Sequence, residues 1–137
     1  MHVLIADDDT TSLNALATLL RSWEFKVTAV QDGARAWEVL QRSDPPVMCL
    51  LDRQMPNDGI SLCRRIRATE ATRHIYVLFI TVRGSKQDLL DGFAAGADDY
   101  VTKPFDRDEL RARLGLGKRV IELQSALARR NRGQPDM

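Results

Sequence analysis

The amino-acid sequence predicts a doubly wound α/β domain on a five-stranded parallel sheet. Three observations carry the expectation: short apolar runs recur along the chain, stretches of helical period separate them, and turn-forming residues punctuate the boundaries. The runs cover Val3 to Ala6, Phe25 to Val30, Val47 to Leu51, Tyr76 to Ile80 and, more weakly, Tyr100 to Thr102. In the central runs apolar residues are consecutive rather than alternating, as strands covered by helices on both faces require.

Each element follows in order. The first strand ends in Asp7, Asp8 and Asp9, and Asp9 or Thr10 can cap a helix whose inner face holds Leu13, Leu16, Leu19 and Leu20. After the strand from Phe25, Asp32 caps a helix with Ala36, Val39 and Leu40, and Pro45-Pro46 separates it from the third strand. Met55-Pro56-Asn57-Asp58-Gly59 is turn-rich, and Asp58 can cap a third helix carrying Ile60, Cys63 and Ile66. Ser85 caps the fourth helix, where Gly92 and Gly96 predict a short element with a loose C-terminal end. Asp106 caps the last helix, proline-free to about Arg130; Gly115 and Gly117 weaken its middle, so it reads as one helix or two. Beyond them Leu116, Val120, Leu123 and Leu127 fall at coiled-coil spacing, which fits either a seam between two chains or an extension packed on its own domain. The tail from Arg129 to Met137 reads as disordered.

With 137 residues, 44% of them apolar and 28% charged, the chain has the size and balance of one soluble domain. A formal net charge of +1 implies neither a nucleic acid nor a membrane partner. No apolar stretch approaches the ~20 residues of a membrane span and no leader pattern opens the chain, so a cytoplasmic location is expected. Cys49 and Cys63 lack metal-ligand spacing and read as buried thiols.

In an open parallel sheet, ligands bind outside the carboxyl ends of the strands. Asp7 and Asp8 follow the first strand, Asp52 ends the third, Thr81 ends the fourth, and Lys103 lies just past the fifth. Taken singly these have plain readings: the Asp run as a helix cap with favourable dipole charge, Asp52 as a turn residue, Lys103 as a solvated surface lysine. Their convergence on one edge favours chemistry. Asp7, Asp8 and Asp52 brought together would repel, and Mg²⁺ relieves such repulsion while keeping positions open for phosphate oxygens. Asp52 can then attack phosphorus, with Lys103 as a point-charge partner of the phosphate and Thr81 as a hydrogen-bond donor to it.

Val-Leu-Ile-Ala-Asp-Asp-Asp at 3 to 9, Leu-Leu-Asp-Arg-Gln-Met-Pro at 50 to 56 and Gly-Ala-Asp-Asp-Tyr-Val-Thr-Lys-Pro-Phe at 96 to 105 resemble the bacterial two-component response-regulator receiver domain. The resemblance implies a flavodoxin-like strand order 2-1-3-4-5, with residues 1–115 as the receiver; spacing and composition make 116–137 a helical linker, which can start a coiled coil, and a disordered tail. It implies that Asp52 accepts the phosphoryl group from a sensor histidine kinase or phosphotransfer protein. Asp7 and Asp8 would bind Mg²⁺ together with Asp52 and the backbone carbonyl of Gln54. Thr81 and Lys103 would be the signalling hydroxyl and lysine, Tyr100 the aromatic switch, and Lys103-Pro104 a cis peptide. Output would pass to an attached domain or a partner that the sequence does not name, and a homodimer through the last helix is expected if the leucine seam pairs.

The pattern departs from the family in two places. Only Asn57 stands between Pro56 and Asp58, which implies a tighter turn, and Val82 follows Thr81 where a smaller residue is usual, which implies a crowded pocket and slower phosphoryl transfer. Two other functions compete. A receiver-like interaction module would act without phosphorylation. A metal-dependent phosphotransferase or phosphatase using Asp52 would need a further acid or base and a substrate cap, and neither His2 nor His74 is placed for it. A dinucleotide site fails, because no Gly-x-Gly-x-x-Gly follows the first strand.

Overall fold

The computed structural model describes residues 1–53, 55, 59–82 and 86–133, the last three by backbone alone. Strands and helices alternate: β1 (His2–Ala6), α1 (Thr10–Ser22), β2 (Lys26–Val30), α2 (Gly33–Leu40), β3 (Met48–Asp52), α3 (Gly59–Ala68), β4 (Tyr76–Val82), α4 (Lys86–Ala94), β5 (Asp99–Lys103) and α5 (Arg107–Gly133). All strand pairs are parallel, in the order β2-β1-β3-β4-β5 expected from the resemblance. Against the sequence reading, β4 runs on through Val82 and β5 takes in Lys103.

The sheet has a core on each face. On one side Leu4, Cys49, Leu51, Val77 and Phe79 pack with Val39 and Leu40 of α2 and Ile60, Cys63 and Ile66 of α3. On the other, Val3, Ile5, Leu50, Leu78 and Ile80 pack with Leu16 and Leu20 of α1 and Leu110 and Leu114 of α5. Successive strand residues point to opposite faces, so a strand buried on both must be apolar throughout. β3 is buried at every position, and β2, at the sheet edge, is not. Both cysteines are free and buried, and burial raises their thiol pKa values, that of Cys63 to about 11.

Caps follow the polar residues that precede the helices. The Asp9 carboxylate accepts from Thr11 and Ser12 N–H, making Asp9 and not Thr10 the cap of α1; Asp32 accepts from Arg35 N–H and Asp106 from Glu109 N–H. The expected caps Asp58 and Ser85 lie outside the described residues. At the end of the sheet where β4 begins, one arginine ties several segments. Arg67 Nε donates to the Gly96 carbonyl at 2.9 Å and Nη2 to Asp98 Oδ2 at 2.7 Å, while Asp98 accepts Val77 N–H at 2.8 Å. Gly96 has φ +108°, and a Cβ there would lie 2.7 Å from Arg67 Cγ.

α5 is one helix, not two. A Cβ on Gly117 would come within 2.8 Å of Met48 Cε and the Tyr76 ring, so the glycine lets the helix approach the sheet closely; Gly115 faces open space. Helix continues from Arg129 to Gly133, where the sequence reading placed a disordered tail, and residues 134–137 lie outside the described ones. Along the proposed seam, Leu116, Leu123 and Leu127 are exposed, but Val120 is half-buried against the domain beside buried Ile121.

These two glycines should respond oppositely to alanine. Gly115→Ala is expected to raise unfolding free energy by about 0.5–1 kcal/mol through helix propensity. Gly117→Ala is expected to lower it by about 1–3 kcal/mol through overpacking. Urea unfolding checks both, and equal gains would refute the close approach.

Candidate functional site

Strand order decides which residues meet. β1, β3, β4 and β5 are neighbours in that sequence across the sheet, so residues at their carboxyl ends form a row. Asp7 leaves β1 with its N–H donating to the Val30 carbonyl at 3.1 Å, and Asp52, the last residue of β3, stands opposite Ile80. A Cβ on Gly59, the first residue of α3, would lie 2.8 Å from the Asp52 carbonyl oxygen, so only glycine lets α3 begin this close to Asp52.

The row closes on Lys103. Its Nζ donates to Asp7 Oδ2 at 2.9 Å and to Asp52 Oδ2 at 3.0 Å. Asp7 is wholly buried, and its other oxygen accepts Asp9 N–H at 2.9 Å. Asp7, buried Asp52 and exposed Asp8 each offer a carboxylate oxygen within 4.8 Å of the others. At such spacing two carboxylates repel by roughly 3 kcal/mol for an effective dielectric near 20. Burial raises the Asp7 pKa, with Asp52 adding to the rise against the opposing pull of the Asp9 N–H and Lys103. Burial lowers that of Lys103, but its hydrogen bonds to Asp7 and Asp52 outweigh this and hold it up.

Three carboxylates cluster beside one described ammonium, which contacts two of them, so the cluster stays anionic, and its donors are all oxygen. A hard divalent cation fits that set. Mg²⁺ in particular takes few carboxylates and fills its remaining positions with water or phosphate oxygens. Gln54, expected to add a backbone carbonyl, lies outside the described residues, as does the short turn through Pro56, Asn57 and Asp58.

Thr81 is buried at the same edge, and its Oγ1 has no hydrogen-bond partner among the described residues. Tyr100 stands apart from the acids and is half-buried. Its ring meets Phe93 edge-on at 5.9 Å, and the Arg113 guanidinium lies 5.1 Å above it. Arg113 Nη1 also donates to Asp99 Oδ1 at 2.7 Å. The Lys103-Pro104 peptide is cis. Val82, expected to crowd access to the site, is 52% exposed at the end of β4. The sequence reading singled out neither Arg113 nor Asp99, nor the contact of Arg53 with α4 described below. Basic residues are too frequent in this chain for their partners to be read from spacing.

A family model described as the response regulator receiver domain matches residues 3–115. The transcriptional regulatory protein CseB of Streptomyces coelicolor is 45% identical over 114 residues, covering 82% of this chain and 47% of that protein. The chain thus spans about half the length of such relatives, and less of longer ones. The Francisella response regulator 1452 receiver domain superposes with TM-score 0.75 at 32% identity, over 86% of this chain and 97% of that one. So does the receiver domain of sensor histidine kinase PA1611 from Pseudomonas aeruginosa, with TM-score 0.74, 31% identity, and coverage of 82% and 93%; it has a magnesium ion coordinated in its active-site cleft.

Lys103→Met should destabilise the protein by about 2–3 kcal/mol near neutral pH, because it removes the ammonium that two buried carboxylates share. The sign with pH follows from Asp7, whose raised pKa makes the folded state take up a proton sooner than the unfolded state. The penalty is therefore full above the folded-state pKa of Asp7 and shrinks as pH falls through it. Urea unfolding in a pH series from neutral down into the acid range measures this, and a loss that does not shrink anywhere toward acid would contradict it.

Proposed function

Because the chain belongs to the response regulator receiver domain family, we propose that it is a phosphorylation switch with Asp52 as acceptor. The carrying observation is the ammonium of Lys103 shared between Asp7 and Asp52, with Asp8 beside them at the carboxyl edge of the sheet. The donor is a sensor histidine kinase or phosphotransfer protein carrying phosphohistidine. An Asp52 carboxylate oxygen forms a bond to phosphorus as the phosphorus–nitrogen bond breaks, and the electron pair leaves with the imidazole nitrogen. The product is an aspartyl phosphate.

Asp7, Asp8 and Asp52, with the Gln54 carbonyl, would hold Mg²⁺, which when bound offsets negative charge on the phosphoryl oxygens. Lys103 is already aimed at Asp52 Oδ2 and can pass that hydrogen bond to a phosphoryl oxygen. Thr81 has a buried hydroxyl to donate to the same group. Its turn toward the phosphoryl frees space for Tyr100, and the two motions together shift a two-state equilibrium at the face built by α4, β5 and α5. The chain is a signalling phosphoacceptor; transfer to itself and hydrolysis are its only chemistry.

Output passes to an attached domain or a separate partner in the cytoplasm. We assign homodimerisation to α5: residues 122–130 are exposed without interruption, and Leu116, Leu123 and Leu127 present a leucine stripe to solvent. A short helical stretch unsupported by packing is marginal in water, so a second copy lying parallel along it supplies the missing burial.

Incubation with Mg²⁺ and acetyl phosphate, followed by intact mass, is expected to give one phosphoryl adduct that chelation prevents and Asp52→Asn abolishes. An unmodified wild type would favour the interaction-module reading, and an adduct surviving Asp52→Asn would move the site elsewhere. Sedimentation is expected to show a dimer that Leu123→Lys with Leu127→Lys dissociates; a monomeric wild type at high concentration rules the seam out.

A further inference from the structure

A contact from the residue after Asp52 reaches α4 by a route the mechanism above does not use. Arg53 N–H donates to the Ile80 carbonyl at 3.0 Å, which pins its backbone to the end of β4. Its Nη2 lies 3.6 Å from both Asp88 Oδ1 and Asp91 Oδ2. Asp88 and Asp91 are one turn apart on α4, so they share a face and a single guanidinium can serve both. The Arg53 and Asp88 side chains are 20% and 28% exposed, which shields that pair from water more than an open surface bridge, while Asp91 is 43% exposed.

Among the described residues α4 buries little apolar surface, its Phe93 ring meeting Tyr100 edge-on. Gly92 is its buried residue, set against the Phe79 ring, while Leu90 and Phe93 remain 50% and 44% exposed. With so little apolar area removed from water, polar ties carry a larger share of the attachment than they do for α1 or α3. The tie is also placed where it matters. Arg53, Asp88, Thr81 and Tyr100 line one small cavity of about 10 Å³ under α4. The ion pairs therefore close the space between the hydroxyl and the aromatic ring on the α4 side.

We propose that Arg53 is a positioning residue that latches α4 over the Thr81–Tyr100 cavity through Asp88 and Asp91, and so sets how readily α4 shifts on phosphorylation. The link to phosphorylation rests on the reading of Asp52 as acceptor; the latch itself does not. Arg53 is covalently next to Asp52, so a change in the Asp52 backbone acts on the guanidinium through a single peptide unit. Loss of the guanidinium leaves two like charges one turn apart on the inner side of α4, which opposes its close seating.

Hydrogen exchange by mass spectrometry on the full chain tests the latch before any phosphorylation. Asp88→Asn with Asp91→Asn, and separately Arg53→Gln, are each expected to speed exchange of α4 amides roughly 3- to 5-fold while α1 stays unchanged. Combining all three changes should add nothing further, since the same contact is removed twice. Unchanged α4 exchange, additive effects, or a rise shared by α1 would each overturn the latch. Acetyl phosphate with Mg²⁺ should then bring wild-type α4 exchange toward that of the variants. Phosphorylated protein with unaltered α4 would overturn the coupling, whereas failure of Asp52 to take phosphate would strike the proposed function and leave the first comparison standing.

Discussion

The organisation of this molecule depends on holding acids together where water is scarce. Asp7 is fully buried and Asp52 nearly so, and each would be costly there without a counter-charge. Lys103 supplies that charge from the far side of the sheet, 96 residues from Asp7 in sequence. The pairing is poised rather than neutralised, because one ammonium faces more than one carboxylate. A site left anionic by design attracts a hard cation, and a cation there in turn makes room for phosphate.

The sheet exists, in this light, to make that meeting possible. Only the crossover order puts β1, β3, β4 and β5 side by side, so that four chain segments deliver their last residues to one edge. The helices enforce the order by covering both faces, and details such as Gly59 against the Asp52 carbonyl bring the covering layer close to the acid cluster. α4 is the exception. It caps a cavity but contributes little to either core, which makes it the element that a small energy can move.

Much of the fold was legible because the sequence signals were local. Consecutive apolar runs marked β3 and β4, and Asp9, Asp32 and Asp106 marked helix starts. The acids, hydroxyl and lysine were found because polar residues at strand ends in a parallel sheet converge whatever their rotamers. Features set by long-range packing were not legible. Gly117 looked like a helix breaker and proved to be a point of contact with Tyr76. Glu24 takes φ +70° to close the turn after α1, a position where glycine would have been the readable sign. Arg53 was in view within a motif, yet its reach to Asp88 and Asp91 depends on a side-chain path that no spacing rule encodes.

The close seating of Gly117 has a mechanical consequence. Together with buried Ile121 one turn on, it seats the middle of α5 on the domain: on one side Arg113 rests over Tyr100, and beyond Ile121 residues 122–130 are exposed. The helix beyond Ile121 runs about 18 Å at the helical rise, so a tilt of about 5° at its seat displaces its end by about 1.6 Å. A rearrangement around Tyr100 that tilted the helix would be amplified at its far end. A long stiff helix pivoting on its seat would turn a local change of side-chain packing into a displacement large enough for another macromolecule to detect.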